Sequence, residues 1–318
     1  MTTVRSRSIQ VIKPGWCTTV QDLGRHGYQH YGVSVSGAMD RLGLVIANRL
    51  VNNPDEAAAL EITIVGPELL FEDAAVLAIT GADLSPAIDG HSVPNWTTVA
   101  IHAGSRLTFG RRRTGARSYV AVAGAFEVPM LWGSRSTHVS SCTGGFNGRA
   151  LLANDLLRVG LDQCERPPIG MLAPGNRPLY ADAPALRVIS GPQHAKAASL
   201  AVLTATPYTL TSQSNRMGYR LEGQRLHEDP AHPRLSDGTA MGALQIPPDG
   251  SPILLMADRP TTGGYPKIAT VISADLPQAA QLQPGDIVTF RMTTLGEAES
   301  ALSNQWRQLN DVLPPRKP

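Results

Sequence analysis

Carboxylates and guanidinium groups set in glycine-rich turns are the side chains of this sequence best suited to chemistry. Asp83 closes TGAD (80–83) and Asp258 opens into ADRPTTGGYP (257–266). Each follows an apolar run, AVLAIT or ILLMA, and a residue at a strand end can aim its side chain into a cleft. Either carboxylate could act as a general base for attack by water, with a neighbouring Arg holding the charge of the substrate. Arg216 and Arg220 lie in SNRMGYRLEG (214–223), Arg25 in TTVQDLGRHGY (18–28) and Arg135 in GSRST (133–137). Their planar forks suit a carboxylate or a phosphate. Gly263 and Gly264 would let backbone N–H groups approach a ligand closely. Tyr219 and Tyr265 could orient it, and Ser136 and Thr262 complete the candidate substrate contacts. Taken singly, each of these loops is explained as well by turn chemistry. Turns recruit Gly whatever the function, and Asp22, Asp40, Asp83 and Asp258 are all placed to satisfy turn N–H groups.

Other chemistries find little support. No G-x-x-x-x-G-K-[ST] loop occurs, so nucleotide binding is not legible as a motif. GSRST is not a nucleophile elbow. The eight His form no HxH or HxxxH pair on a helix, so no metal site is expected; His26 and His30, beside DLGR, are the least ordinary of them. Three Cys (Cys17, Cys142, Cys164) without a CxxC pair argue against a disulfide framework or zinc knuckle. A net charge of +2 gives no electrostatic case for nucleic acid or a membrane. The basic residues are mostly Arg, with Lys only at 13, 196, 267 and 317. No Lys is flanked by Met as in a biotinylated carrier, so no covalent biotin is expected. The N-terminus lacks the apolar run of a secretory signal, and no segment approaches the roughly 18 apolar residues of a membrane span. The expected location is cytoplasmic.

The elements that must position these loops read as mainly β. With 30 Gly and 25 Pro in 318 residues, short strands joined by turns are favoured over long helices. A helix is expected from about Ser36, capped by Ser36 and stopped by Asn52-Asn53-Pro54. Short apolar runs follow from 59 to 160. AGSRLTFG (103–110), ANDLLRVG (153–160) and PGDIVTFR (284–291) share a turn-into-strand shape. The Pro-rich segment around 166–186 reads as a linker between an N-terminal β domain (1–165) and a C-terminal one (187–318). A modest helix is expected over about 194–203. An amphipathic one near the C-terminus carries Leu295, Ala298, Leu302, Leu309 and Leu313 on one stripe.

TTVQDLGRHGYQHYGVSVSGAMD, LEITIVGPEL, ITGAD, GSRST, GGFNGR, SGPQ, NRMGYRLEG, PILLMADRPTTGGYPKIA and QLQPGD occur in this order between about residues 9 and 291. The sequence thereby resembles the family variously called allophanate hydrolase subunit 2, urea amidolyase-related protein, biotin-dependent carboxyltransferase and the C subunit of 5-oxoprolinase. The resemblance implies two cyclophilin-like β-barrel subdomains with a few short helices. It implies a stable complex with a subunit-1 (B-type) partner and, in the 5-oxoprolinase system, a third, A-type partner. That assembly uses ATP to open the lactam of 5-oxoproline, giving glutamate. Relatives act in urea carboxylase, or as a regulator that antagonises a kinase inhibitor, and both remain alternatives. The chain departs from the family at Asn215, Pro260 and Asn147, where Asp, Gln and Glu are usual. An amide at 215 cannot serve as a base near neutral pH.

Overall fold

The computed structural model describes residues 6–161, 170–191, 197–227 and 235–315. The chain forms two compact units. The first comprises Met1–Arg25, Ser36–Pro178 and Gln308–Pro318, and the second His26–Val35 and Leu179–Arg307. Part of the expected linker, residues 166–169, lies outside the described residues.

Eleven strands build the first unit: β1 (Arg7–Lys13), β2 (Cys17–Gln21), β3 (Ala59–Thr63), β4 (Glu68–Phe71), β5 (Ala75–Asp83), β6 (Pro86–Ile88), β7 (His91–Ser92), β8 (Thr97–Ile101), β9 (Arg106–Phe109), β10 (Thr114–Val122) and β11 (Leu156–Val159). They make a six-stranded sheet in the order β11-β1-β4-β9-β6-β7 and a five-stranded sheet in the order β2-β3-β10-β5-β8. Period-two alternation decides which face is buried. In β1, Ile9 and Val11 face inward, and in β11 Leu157 and Val159 do, while Leu156 is exposed. One apolar core joins both sheets through Val20, Leu60, Ile62, Leu69, Phe71, Leu77 and Val120. Truncating any of these to Ala would cost about 2–5 kcal/mol.

Helix α1 (Arg41–Leu50) packs on β10 and β5 and is buried from Leu42 to Leu50. Its N-cap is Asp40, whose carboxylate accepts from Gly43 N at 2.8 Å. The expected cap, Ser36, stands outside the helix. It adopts a left-handed φ of 55° and its hydroxyl donates to Thr137 O at 2.8 Å.

In the second unit the strands are β12 (Ala185–Ser190), β13 (Tyr208–Leu210), β14 (Gly218–Gly223), β15 (Asp237–Gly238), β16 (Ala243–Gln245), β17 (Ile253–Leu255), β18 (Thr262–Gly263), β19 (Lys267–Val271) and β20 (Ile287–Met292). Seven of them close a barrel in the order β12-β19-β16-β17-β14-β13-β20, the parallel pair β12–β20 completing the ring. Leu186, Val188, Tyr219, Leu221, Leu244, Leu254, Val288 and Phe290 are buried along these strands. β15 and β18 form a separate two-stranded ribbon. Helices α2 (Ala197–Ala205), α3 (Leu276–Ala280) and α4 (Leu295–Val312) are the other α-helices among the described residues. On α4 Leu309 is buried, whereas Leu295, expected on the same stripe, is 62% exposed. No helix among the described residues is long and apolar enough to cross a membrane.

Candidate functional site

In the first unit the expected site residues are drawn into a latch. Asp22, just after β2, accepts four hydrogen bonds: from Gly24 N (2.7 Å), Ser134 Oγ (2.7 Å), Arg135 N (2.5 Å) and Ser136 Oγ (2.5 Å). Ser136 Oγ accepts in return from Asp22 N at 3.0 Å. Arg25 is 1% exposed, and its guanidinium donates to the Ser136 carbonyl. Gly144, at φ +67°, makes room for it, since a Cβ there would lie 2.5 Å from the Arg25 guanidinium nitrogen. The motifs DLGR, GSRST and TGGF therefore read one another across the chain. A carboxylate accepting this many donors, with a buried cation nearby, holds a loop in place. Arg25 and Ser136 are enclosed by protein. Arg135 is partly exposed, donates from Nε to Val128 O at 3.2 Å, and lines a cavity of about 400 Å³ with Asn53, Gly124 and Glu127. Asp83 serves its own turn: it accepts from Ser85 N at 2.8 Å and lies 3.7 Å from the exposed Arg113.

A second buried polar cluster in this unit escaped the sequence reading. Tyr119 OH donates to Glu61 Oε2 at 2.7 Å and accepts from Asp40 N at 2.8 Å, while Glu61 also accepts from Met39 N at 2.8 Å. Burial holds the Tyr119 phenol well above its ordinary pKa, helped by the negative charges of Glu61 and Asp40. The cluster fixes the approach of the chain to α1. Its partners are 22 to 79 residues apart, so no local pattern announces it.

In the second unit Arg216 and Asp258 meet as a two-pronged pair, with Nε–Oδ2 at 2.9 Å and a terminal nitrogen to Oδ1 at 3.0 Å. Their side chains are only 11% and 4% exposed. Asp258 N also donates to Arg216 O at 2.8 Å, so backbone and side chain bind the same two loops. Asn215 accepts from Met217 N at 2.8 Å, an Asx turn that Asp would make equally well. Tyr219 points into the barrel, 2% exposed, whereas Arg220 is exposed on the same strand.

Thr262 and Gly263 form β18, opposite Gly238 and Asp237 of β15. Gly264 and Tyr265 follow at the surface, Tyr265 at 46% exposure. Beneath this ribbon lies Lys267, 3% exposed, which reaches Asp237 Oδ2 at 3.3 Å and Gly238 O at 3.1 Å. A hydrogen bond from Gly238 N, and then Lys267, pull the Asp237 carboxyl below its ordinary pKa. Asp237 and Lys267 were not singled out from sequence, although a Lys in a chain with four of them, directly after GGYP, was the available signal. Among the described residues no group of three or more His, Cys, Asp or Glu could hold a metal ion.

A family model, the carboxyltransferase domain, subdomains A and B, matches residues 31–292. The chain belongs to that family. It is 41% identical over 309 residues to the C subunit of 5-oxoprolinase from Escherichia coli (strain K12), covering 96% of this chain and 97% of the relative. With the protein of the same name from Haemophilus influenzae it shares 38% identity over 280 residues, 88% of this chain and 89% of the relative. The crystal structure of the Kluyveromyces lactis urea carboxylase superposes with a TM-score of 0.90 at 29% identity, over 96% of this chain but 29% of that larger one. The carboxyltransferase-domain fold thus accounts for both sheet-built units.

Proposed function

We propose that this chain is the C subunit of an ATP-driven 5-oxoprolinase that opens a cyclic amide to give glutamate, acting with a B-type (subunit-1) partner and an A-type partner. The observation that carries this reading is near end-to-end identity of 41% with a protein of that name. The urea carboxylase likeness is weaker in identity and spans a minor part of that chain.

Opening a lactam needs an electrophilic carbonyl, a water, and donors for the oxyanion that forms. ATP supplies the activation by turning the amide oxygen into a leaving group. Two of the candidate cations are engaged with protein oxygens, Arg25 with Ser136 O and Arg216 with Asp258. They do not fit a triphosphate cradle, so we place the nucleotide on a partner protein. The role left to this chain is to hold the substrate. Exposed Thr262, Gly264 and Tyr265 are within reach of a small amide. Asp258, with both oxygens taken by Arg216, positions the loop that carries them and does not carry protons.

The test is co-expression with the B-type and A-type partners, followed by assay of ATP- and 5-oxoproline-dependent glutamate release. Release should require this chain together with its partners. A reconstituted complex that binds tightly yet turns nothing over would favour a regulatory role instead.

A further inference from the structure

Gln245 is a residue the fold treats badly unless a ligand is part of its design. Leu244 packs into the barrel with no exposure, so strand alternation sends Gln245 to the outer face. It is nevertheless 5% exposed, because the β15–β18 ribbon lies over it: a Cβ on Gly263 would sit 2.6 Å from Gln245 Nε2, with a Thr239 methyl 3.3 Å away. Among the described residues, Nε2 has no hydrogen-bond partner. Burying an amide donor without a partner is unfavourable, and an apolar side chain of similar size would avoid the cost.

Lys267 stands directly across the ladder from Gln245. A bulge separates this pair from Leu244–Ala269, but both side chains meet the ribbon, Gln245 at Gly263 and Lys267 at Asp237 and Gly238, so the amide and the ammonium lie under one cover. The cover is slight. It has two residue pairs, Asp237 with Gly263 and Gly238 with Thr262, and forms a sheet separate from the barrel. It is fastened by Lys267 through Asp237 and Gly238 O, by Thr239 N to Thr261 O at 3.0 Å, and by Thr239 Oγ1 to Pro260 O. Asp237 itself is mostly exposed, so its contact with the Lys is one that an incoming carboxylate could replace.

We infer that Gln245 and Lys267 form a covered subsite for a small carboxylate-bearing amide, with the β15–β18 ribbon as its cover. Gln245 donates to the amide oxygen. Lys267 exchanges the Asp237 carboxylate for that of the substrate as the ribbon lifts. Gly263 has no side chain that would collide with the Gln245 amide. The identity of the ligand rests on the 5-oxoprolinase reading, whereas the location of the subsite rests on the barrel geometry alone.

The experiment uses the full chain in complex with its partners, and two ligands: 5-oxoproline and 2-pyrrolidinone, the same ring without its carboxylate. Binding is measured by calorimetry for wild type, Gln245→Leu and Lys267→Met. Gln245→Leu should weaken both ligands at least tenfold while the thermal midpoint of the isolated chain stays level or rises. Lys267→Met should weaken 5-oxoproline at least tenfold and leave 2-pyrrolidinone unchanged. A ligand-free measurement accompanies these: Asp237→Ala should speed hydrogen exchange at Thr239 N at least tenfold. A fall of several degrees in the Gln245→Leu midpoint overturns the inference, because the amide would then be structural. So does wild-type affinity in Gln245→Leu when the wild-type complex turns over 5-oxoproline, an outcome that leaves the functional reading standing. If the wild-type complex neither binds nor turns over 5-oxoproline, that reading fails. The subsite is then decided by the midpoint and exchange measurements.

Discussion

At the scale of single residues, the same side-chain type has opposite worth according to burial. Lys13 pairs with Glu68 at 2.8 Å, but its side chain is 75% exposed, so Lys13→Ala should change stability by under about 1 kcal/mol. Arg216 and Asp258 are shielded, and removing one takes from the other a two-pronged, buried partner. Arg216→Ala should therefore destabilise the chain by about 3–5 kcal/mol, read as a shift in the urea midpoint with unchanged slope. Loss of activity in that variant would then report unfolding as much as a missing donor. The motif NRMGYRLEG offered Arg216 as a donor for substrate charge; its buried partner, Asp258, lies 42 residues on, beyond any local pattern. Tyr119 gives a pH prediction. Its folded pKa is raised by burial and by Glu61 and Asp40, above an unfolded value of about 10. The unfolded chain therefore loses this proton first as pH rises. The stabilisation is complete below about pH 10 and is lost as pH climbs from there toward the folded value. Tyrosinate absorbance should show Tyr119 titrating only with unfolding, and Tyr119→Phe should remove that part of the alkaline loss.

At the scale of elements, the apolar strands were legible, whereas GYRLEG and TG, read as parts of glycine-rich loops, form β14 and β18. AGSRLTFG, ANDLLRVG and PGDIVTFR each lead into an observed strand, β9, β11 and β20, because alternating burial leaves a local mark. The N-cap of α1 was misplaced by four residues because Ser36 and Asp40 are both good caps in isolation. The choice between them is made by Thr137, 101 residues from Ser36, whose carbonyl takes the Ser36 hydroxyl. Asp22 belongs to the same class of long-range fastening. Asp22→Asn keeps the shape but turns one oxygen into a donor facing donors. Hydrogen bonds to a carboxylate contribute about 1.5–3 kcal/mol each, so the loop 133–137 should loosen before the sheets do. Hydrogen exchange at Arg135 and Ser136 N should rise at least tenfold, with little change at Val120 in the centre of β10. Equal acceleration at both places would mean that the latch is part of the global fold.

At the scale of the whole molecule, a linear division of the chain could not have found the two units, because contact rather than order defines them. Residues His26–Val35 cluster with the second unit and Gln308–Pro318 with the first, so the motif TTVQDLGRHGY is shared between both. Arg49 illustrates the second exchange: it forks onto Asp55 and also donates to Asn310 Oδ1 and Leu313 O, each at 2.8 Å. The family was legible because these fastening motifs are long and unusual. The substrate was not, since 5-oxoprolinase and urea carboxylase relatives share the fold. What separates the two chemistries is the source of activation. A carboxyltransferase must receive its carboxyl group from biotin on a carrier, and this sequence has no Met-Lys-Met, so the carrier would have to come from elsewhere. A 5-oxoprolinase needs ATP and the lactam alone. Glutamate release by the reconstituted complex should therefore be unaffected by excess avidin and by omission of bicarbonate, and urea should not stimulate ATP hydrolysis. Inhibition by avidin would instead place the chain with the urea carboxylases, because avidin can act only by sequestering a biotinyl group on the reaction path.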